Sequence, residues 1–145
     1  REGPGAVCRE VMGNLADGRA KLWTTHRALQ LRQQEHAIFR RGEYVPLEVA
    51  GDRQQNVIAF LRRDPASDRS VLAVIPRFAC TLMRGKAELP LGEAWGKDQL
   101  KIPVPPGTRF TNFFTGESIT VTEEQTLPLS AILSLFPAAL LITED

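Results

Sequence analysis

Two periodicities meet at Gly42. Between Asp17 and Gly42, Leu22, His26 and Leu29 fall at i, i+4 and i+7 on one stripe, and Leu31 and Ile38 extend a neighbouring apolar row. Trp23, Arg27 and Gln30 lie beside that stripe. Asp17 is placed to cap the first turn, and Arg40 and Arg41 suit the negative end of the helix dipole. Gly42 suits the position just past a helix, where positive φ carries no steric cost. The pattern predicts one long amphipathic helix. Residues 1–16 are weakly patterned, with Gly3, Pro4 and Gly5 opposing regular structure at the start.

Beyond Gly42 the period shortens. EYVPLEV reads as a strand that Pro46 confines to an edge or a bulge. NVIAFLRR and VLAVIPRF are apolar at consecutive positions, which fits strands covered on both faces. DPASDRS between them has hairpin length and turn chemistry, so the two are expected to pair antiparallel. Further strands are predicted at ACTLM, QLKIPV, RFTNFF, SITV and AALLIT, separated by GEAWGKD, PPGT, TGE and SAILSLF. SAILSLF is expected to form a single helical turn. The fold class is therefore mainly β, an antiparallel β-sandwich preceded by one long amphipathic helix. The division falls between residues 1–41, the N-terminal segment and helix, and residues 42–145, the β-sandwich domain.

Composition narrows the partners. The hydrophobic fraction of 43% and charged fraction of 24% belong to an ordinary globular chain. No apolar run reaches the ~20 residues of a membrane span, and LFPAALLI is interrupted by Pro137. Arg1, Glu2, Arg9 and Glu10 stand where a signal peptide needs an apolar core, so none is expected. The absence of an initiator Met suggests a piece of something longer. Residues 1–41 hold eight Lys/Arg and four Asp/Glu, whereas residues 42–145 hold ten and thirteen. The basic excess lies on a helical pattern without an aromatic-rich basic cluster, so nucleic acid is not an expected partner. Cys8 and Cys80, 72 positions apart, read as free thiols in a reducing cytoplasm rather than a disulfide.

The search for chemistry returns little. No GxGxxG, Walker loop, GxSxG elbow, HExxH or CxxC is present. The spacing of His26 and His36 on one helix is unsuited to a shared metal, and no acidic or cysteine cluster accompanies them, so neither a metal nor a cofactor is expected. His26 has no nucleophile to serve as base. Asp64, Asp68, Glu123 and Glu124 sit in turns, which accounts for them without a paired-carboxylate site. Among the aromatics, Trp95 in LGEAWGKD is the candidate sugar platform, with Tyr44 beside a strand start. Phe110, Phe113 and Phe114 cannot all point one way, so at least one faces outward or lies past the strand end.

The order of these segments carries a resemblance. DGRAKLWTTHRALQLRQQEHAIFRRGEYVPLEV with the AFLRR of NVIAFLRR resembles the junction in the α-amylase superfamily where the last barrel helix enters the C-terminal β domain. VLAVIPRF, GEAWGKDQLKIPV, FFTGESITV and LSAILSLFPAALL extend the similarity, from Asp17 to Leu141, to the C-terminal end of the maltooligosyl trehalose synthases. That resemblance implies a parent enzyme with a (β/α)₈ barrel that converts the reducing-end α-1,4 link of a maltooligosaccharide to an α,α-1,1 link. It also implies an Asp nucleophile, a Glu acid/base and a second Asp on the barrel, upstream of the helix. None of those motifs is present, so no catalytic residue is assigned to this chain.

The expected function is a non-catalytic C-terminal domain whose partner is the missing barrel, with maltooligosaccharide the substrate of the parent. A last barrel helix carries one apolar stripe for the barrel and another for the β domain. Without the barrel, the chain is expected to self-associate through the helix. The alternative is an independent carbohydrate-binding module built around Trp95. A third possibility is a protein-interaction domain using the basic helix.

Overall fold

The structure is a computed structural model describing residues 3–86 and 88–145, so Arg1 and Glu2 of the charged start lie outside the described residues. Three helices open the chain: α1 (Pro4–Met12), α2 (Arg19–Gln34) and α3 (His36–Arg41). The weakly patterned start is therefore helical, with Pro4 at the first turn, where its missing N–H costs nothing. The predicted single helix is broken at Glu35, whose φ of −108° and ψ of 41° are not helical. Glu35 serves another purpose there: its carboxylate accepts from Arg69 Nη2 at 2.6 Å, fastening the break to the sheet. The N-cap of α2 is Gly18 rather than Asp17, which ends a 3₁₀ turn, although Asp17 Oδ1 accepts from the backbone N–H of Arg19 at 3.0 Å. Gly42 is not left-handed, with φ −65° and ψ 145°. It is glycine for lack of space: a Cβ would lie 2.3 Å from the Ile38 carbonyl oxygen.

Nine strands follow among the described residues: β1 (Glu43–Pro46), β2 (Val49–Ala50), β3 (Val57–Arg63), β4 (Ser70–Pro76), β5 (Gln99–Lys101), β6 (Arg109–Asn112), β7 (Ser118–Thr120), β8 (Thr126–Pro128) and β9 (Ala139–Thr143). They form two antiparallel sheets, one ordered β1-β3-β4-β9-β6-β7 and one ordered β2-β5-β8. Helical residues nevertheless outnumber strand residues, 35% against 27%. Pro46 sits on an edge strand, and NVIAFLRR and VLAVIPRF pair antiparallel with Leu61 opposite Leu72. β9 is inserted between β4 and β6, so among the described strands it is β9 that hydrogen-bonds the two halves of the larger sheet together.

ACTLM is a helical turn, α4 (Ala79–Leu82), rather than a strand. Phe78, at φ 52°, turns the chain out of β4. Asn56 Nδ2 holds that turn by donating to the carbonyls of Arg77 and Phe78 at 3.4 and 3.2 Å. RFTNFF stays extended only to Asn112, whose side-chain oxygen accepts from Phe114 N at 3.0 Å. The expected turn, α5 (Leu129–Ile132), starts one residue before SAILSLF, while β8 carried no sequence signal.

The main core draws on both sheets. Leu61, Leu72, Phe110 and Leu141 of the large sheet meet Leu100 and Leu127 of the small one. On the other face of the large sheet, Leu31 and Ile38 from α2 and α3 pack on Val71 and Ile142. A third cluster joins Cys8 of α1 to Phe114 and Phe136. The helices cover only part of that outer face. Ile58 and Ile75, paired across β3 and β4, remain 45% exposed, so these strands are not covered on both faces throughout. No helix among the described residues is long and apolar enough to cross a membrane.

Candidate functional site

Most of the candidate residues are explained by structure. Trp95 has no exposed surface, and its indole N–H donates to the Pro90 carbonyl at 2.8 Å. It is a core residue and not a sugar platform, because the short 3₁₀ turn Gly92–Trp95 folds inward against α5. Asp64 closes the β3–β4 hairpin, accepting from Ala66 N at 3.0 Å and Ser67 Oγ at 2.9 Å. Those bonds, the backbone one first, hold its carboxyl below the ordinary range. Asp68 occupies the left-handed position of the same hairpin, at φ 61°. Glu123 and Glu124 lie in the exposed turn before β8. His26 and His36 are both exposed, and no group of three or more His, Cys, Asp or Glu among the described residues is arranged to hold a metal ion. Cys8 and Cys80 are free, the first buried and the second exposed. Burial pushes the Cys8 thiol up, with Glu117 adding to it.

Phe110 faces the main core, while Phe113 and Phe114 fall past the strand end. There they receive α2. Trp23 Nε1 donates to the Phe114 carbonyl at 3.1 Å, and Arg27 Nε donates to the Phe113 carbonyl at 2.7 Å. The Arg27 guanidinium stands 3.7 Å over the Phe113 ring, and Gln30 accepts from its Nη1 at 2.8 Å. Burial lowers the Arg27 pKa. These residues and Leu31 form the packed flank of α2.

The adjoining flank is open. Leu22 is 69% exposed and Leu29 58%, with exposed His26 between them. Three shallow depressions follow this flank. The first, about 340 Å³, lies between α1 and α2 and is lined by Val11, Leu22, Trp23 and His26. The second, about 290 Å³, is lined by His26, Leu29, Gln30 and Gln33. The third, about 500 Å³, lies where α2 and α3 meet the sheet and is lined by Leu29, Arg32, Phe39, Phe60, Arg62 and Leu140. Beyond Phe60 the apolar surface continues through Tyr44, whose ring lies 5.1 Å from that of Phe60, and along the same face of β3 to Ile58 and its partner Ile75.

Charge is one-sided along this face. α2 contains Arg19, Lys21, Arg27 and Arg32 and no Asp or Glu. Arg19 is neutralised by Glu10 and Asp17, at 2.9 and 2.7 Å. Arg62 donates from Nη2 to the Phe39 carbonyl at 2.9 Å, but its buried Nε–H has no acceptor. Phe39, Phe60 and Arg62 were not singled out by sequence because consecutive apolar positions in NVIAFLRR imply two covered faces. The alternation of Phe60 and Arg62 with buried Leu61 is the signal that places them outward.

A second open groove, about 550 Å³, separates β1 from the small sheet and is flanked by Glu48, Lys101, Glu124 and Gln125. It contains no aromatic side chain. Comparison of the chain with protein-family models, curated proteins and solved structures finds no match.

Proposed function

We propose that the chain is the non-catalytic C-terminal domain, a sandwich-type module, of an enzyme resembling the maltooligosyl trehalose synthases. The parent, a (1→4)-α-D-glucan 1-α-D-glucosylmutase, would rearrange the reducing end of maltooligosaccharides in trehalose biosynthesis. Its catalytic carboxylates belong to a barrel outside this chain, and the free flank of α2 docks against that barrel. The observation that carries this proposal is the apolar stripe Leu22–His26–Leu29, open to water on a helix whose other flank is packed and bolted to the sheet. A continuous exposed apolar surface is the mark of an interface rather than of a finished exterior. Two unpaired thiols, one of them exposed, support a reducing, cytoplasmic setting.

The test is an assay of the chain alone on maltopentaose. No trehalosyl product is expected; product formed without any added barrel overturns the proposal. The carbohydrate-binding alternative loses its anchor with the burial of Trp95 and rests on Tyr44, 57% exposed. Titration with the same sugar in the same experiment is expected to show no binding, and binding abolished by Tyr44→Ala would favour that alternative.

A further inference from the structure

We infer that the free flank of α2 and the uncovered part of the large sheet's outer face together form a seat for one acidic, amphipathic α-helix. This rests on the docking proposal for the location of that helix in a covalently linked neighbour, and adds what it must look like.

The seat is a corner. α2 stands on one part of the outer sheet face, and the third depression lies at its foot, between Leu29 on the helix and Phe60 on the sheet. An occupant lying there touches α2 on one side and β3 below. It cannot reach a sheet edge to pair its backbone, because Phe60 and Ile58 project from the face of β3, with β1 and β4 on either side. A strand or loop in that position would leave its N–H and C=O groups without partners. A helix satisfies them internally. Leu22, His26 and Leu29 present the i, i+4, i+7 ridge that helix–helix packing uses, at an axial separation of about 8–10 Å. From Leu22 to Gln33 the flank is about 17 Å long, enough for roughly three turns of an occupant.

Charge fixes its sign. The residues lining the three depressions include Arg19, Arg32, Arg62 and His26, and no carboxylate. Arg19 already has its partners, but Arg32 and Arg62 make no ion pair among the described residues. A Glu or Asp beside the apolar stripe of the occupant would meet both. A second copy of this chain fits poorly, since two copies would bring Arg32 and Arg62 against each other.

The probe is a stapled helical peptide of about 18 residues with Leu at i, i+4, i+7 and i+11 and Glu flanking that stripe, titrated calorimetrically against the 145-residue chain. Its counterpart carries Lys in place of every Glu. The Glu peptide is expected to bind with a Kd at least about tenfold below that of the Lys peptide, and to weaken as salt rises from about 50 to about 300 mM. Arg32→Glu, an exposed position, is expected to reverse the order of the two peptides, and Leu29→Asp to weaken both. Equal affinities, or no binding of the Glu peptide, overturn the inference. So does tight pairing of two copies through Leu29 at low salt. The glucan assay plays no part here, so failure of the peptide to bind leaves the non-catalytic proposal standing.

Discussion

At Asp64 and Glu144 single carboxylates do structural work that acid would undo. Asp64 closes the β3–β4 hairpin through Ala66 N and Ser67 Oγ. Glu144 accepts from Ser118 Oγ at 2.5 Å and Thr111 Oγ1 at 2.7 Å, with Arg109 Nε at 3.3 Å. Hydrogen bonds lower both pKa values on folding, chiefly from Ala66 N for the first and Ser118 for the second. A carboxyl with a depressed folded-state pKa binds more protons when unfolded, so its contribution is present above the unfolded pKa and is lost as pH falls toward the folded one. The urea midpoint is therefore expected to be level from about pH 7 to pH 5 and to fall below about pH 4. Asp64→Asn should shallow that acid limb, and an unchanged limb would remove Asp64 from its cause. Turn chemistry was legible in DPASDRS because Asp bonds its own backbone within a few residues. The burial of Trp95 was not, because a Gly-flanked loop reads as exposed until the turn that folds it inward is known.

For the elements, the informative case is α2. Its sequence advertises Leu22 and Leu29, yet the flank that packs uses Trp23, Arg27 and Leu31. Hydrophobicity cannot rank an arginine that packs by its stem and planar head while donating to a carbonyl. Arg27→Ala removes a charge-assisted bond and a stacked contact with Phe113, a loss of about 2 kcal/mol. Amide exchange across α2 should then quicken by about tenfold or more, as read by mass spectrometry. Arg27→Lys should not restore protection, because an ammonium lacks the plane that lies over the ring; full restoration would mean charge alone holds the helix. Local pattern sufficed for β3, β4, β9 and α5. It failed for ACTLM, where the left-handed Phe78 and the distant Asn56 decide, and for β8, three residues whose pairing with β5 supplies what their own sequence lacks.

For the molecule as a whole, two sheets share one core, and a partial helical layer leaves apolar surface uncovered. We propose that copies associate weakly through α2. Because the uncovered flank is also cationic, salt should promote the pairing by screening repulsion, opposite in sign to its effect on an acidic helix. Sedimentation velocity at low and high salt reads this directly, and a strict monomer in concentrated protein at high salt would count against it. The antiparallel sheets were legible in the sequence, whereas the extent of the helical cover was not, since it depends on how far α2 reaches across a surface built from separate stretches of chain that include Phe60, Val71 and Ile142. Of the strands described, β9 is the last to be synthesised, yet it is the keystone between β4 and β6. Until those five residues emerge, the earlier strands wait as two unjoined halves with sticky flanks. Nascent chains paused short of Ala139 are thus the species that chaperones would have to shield.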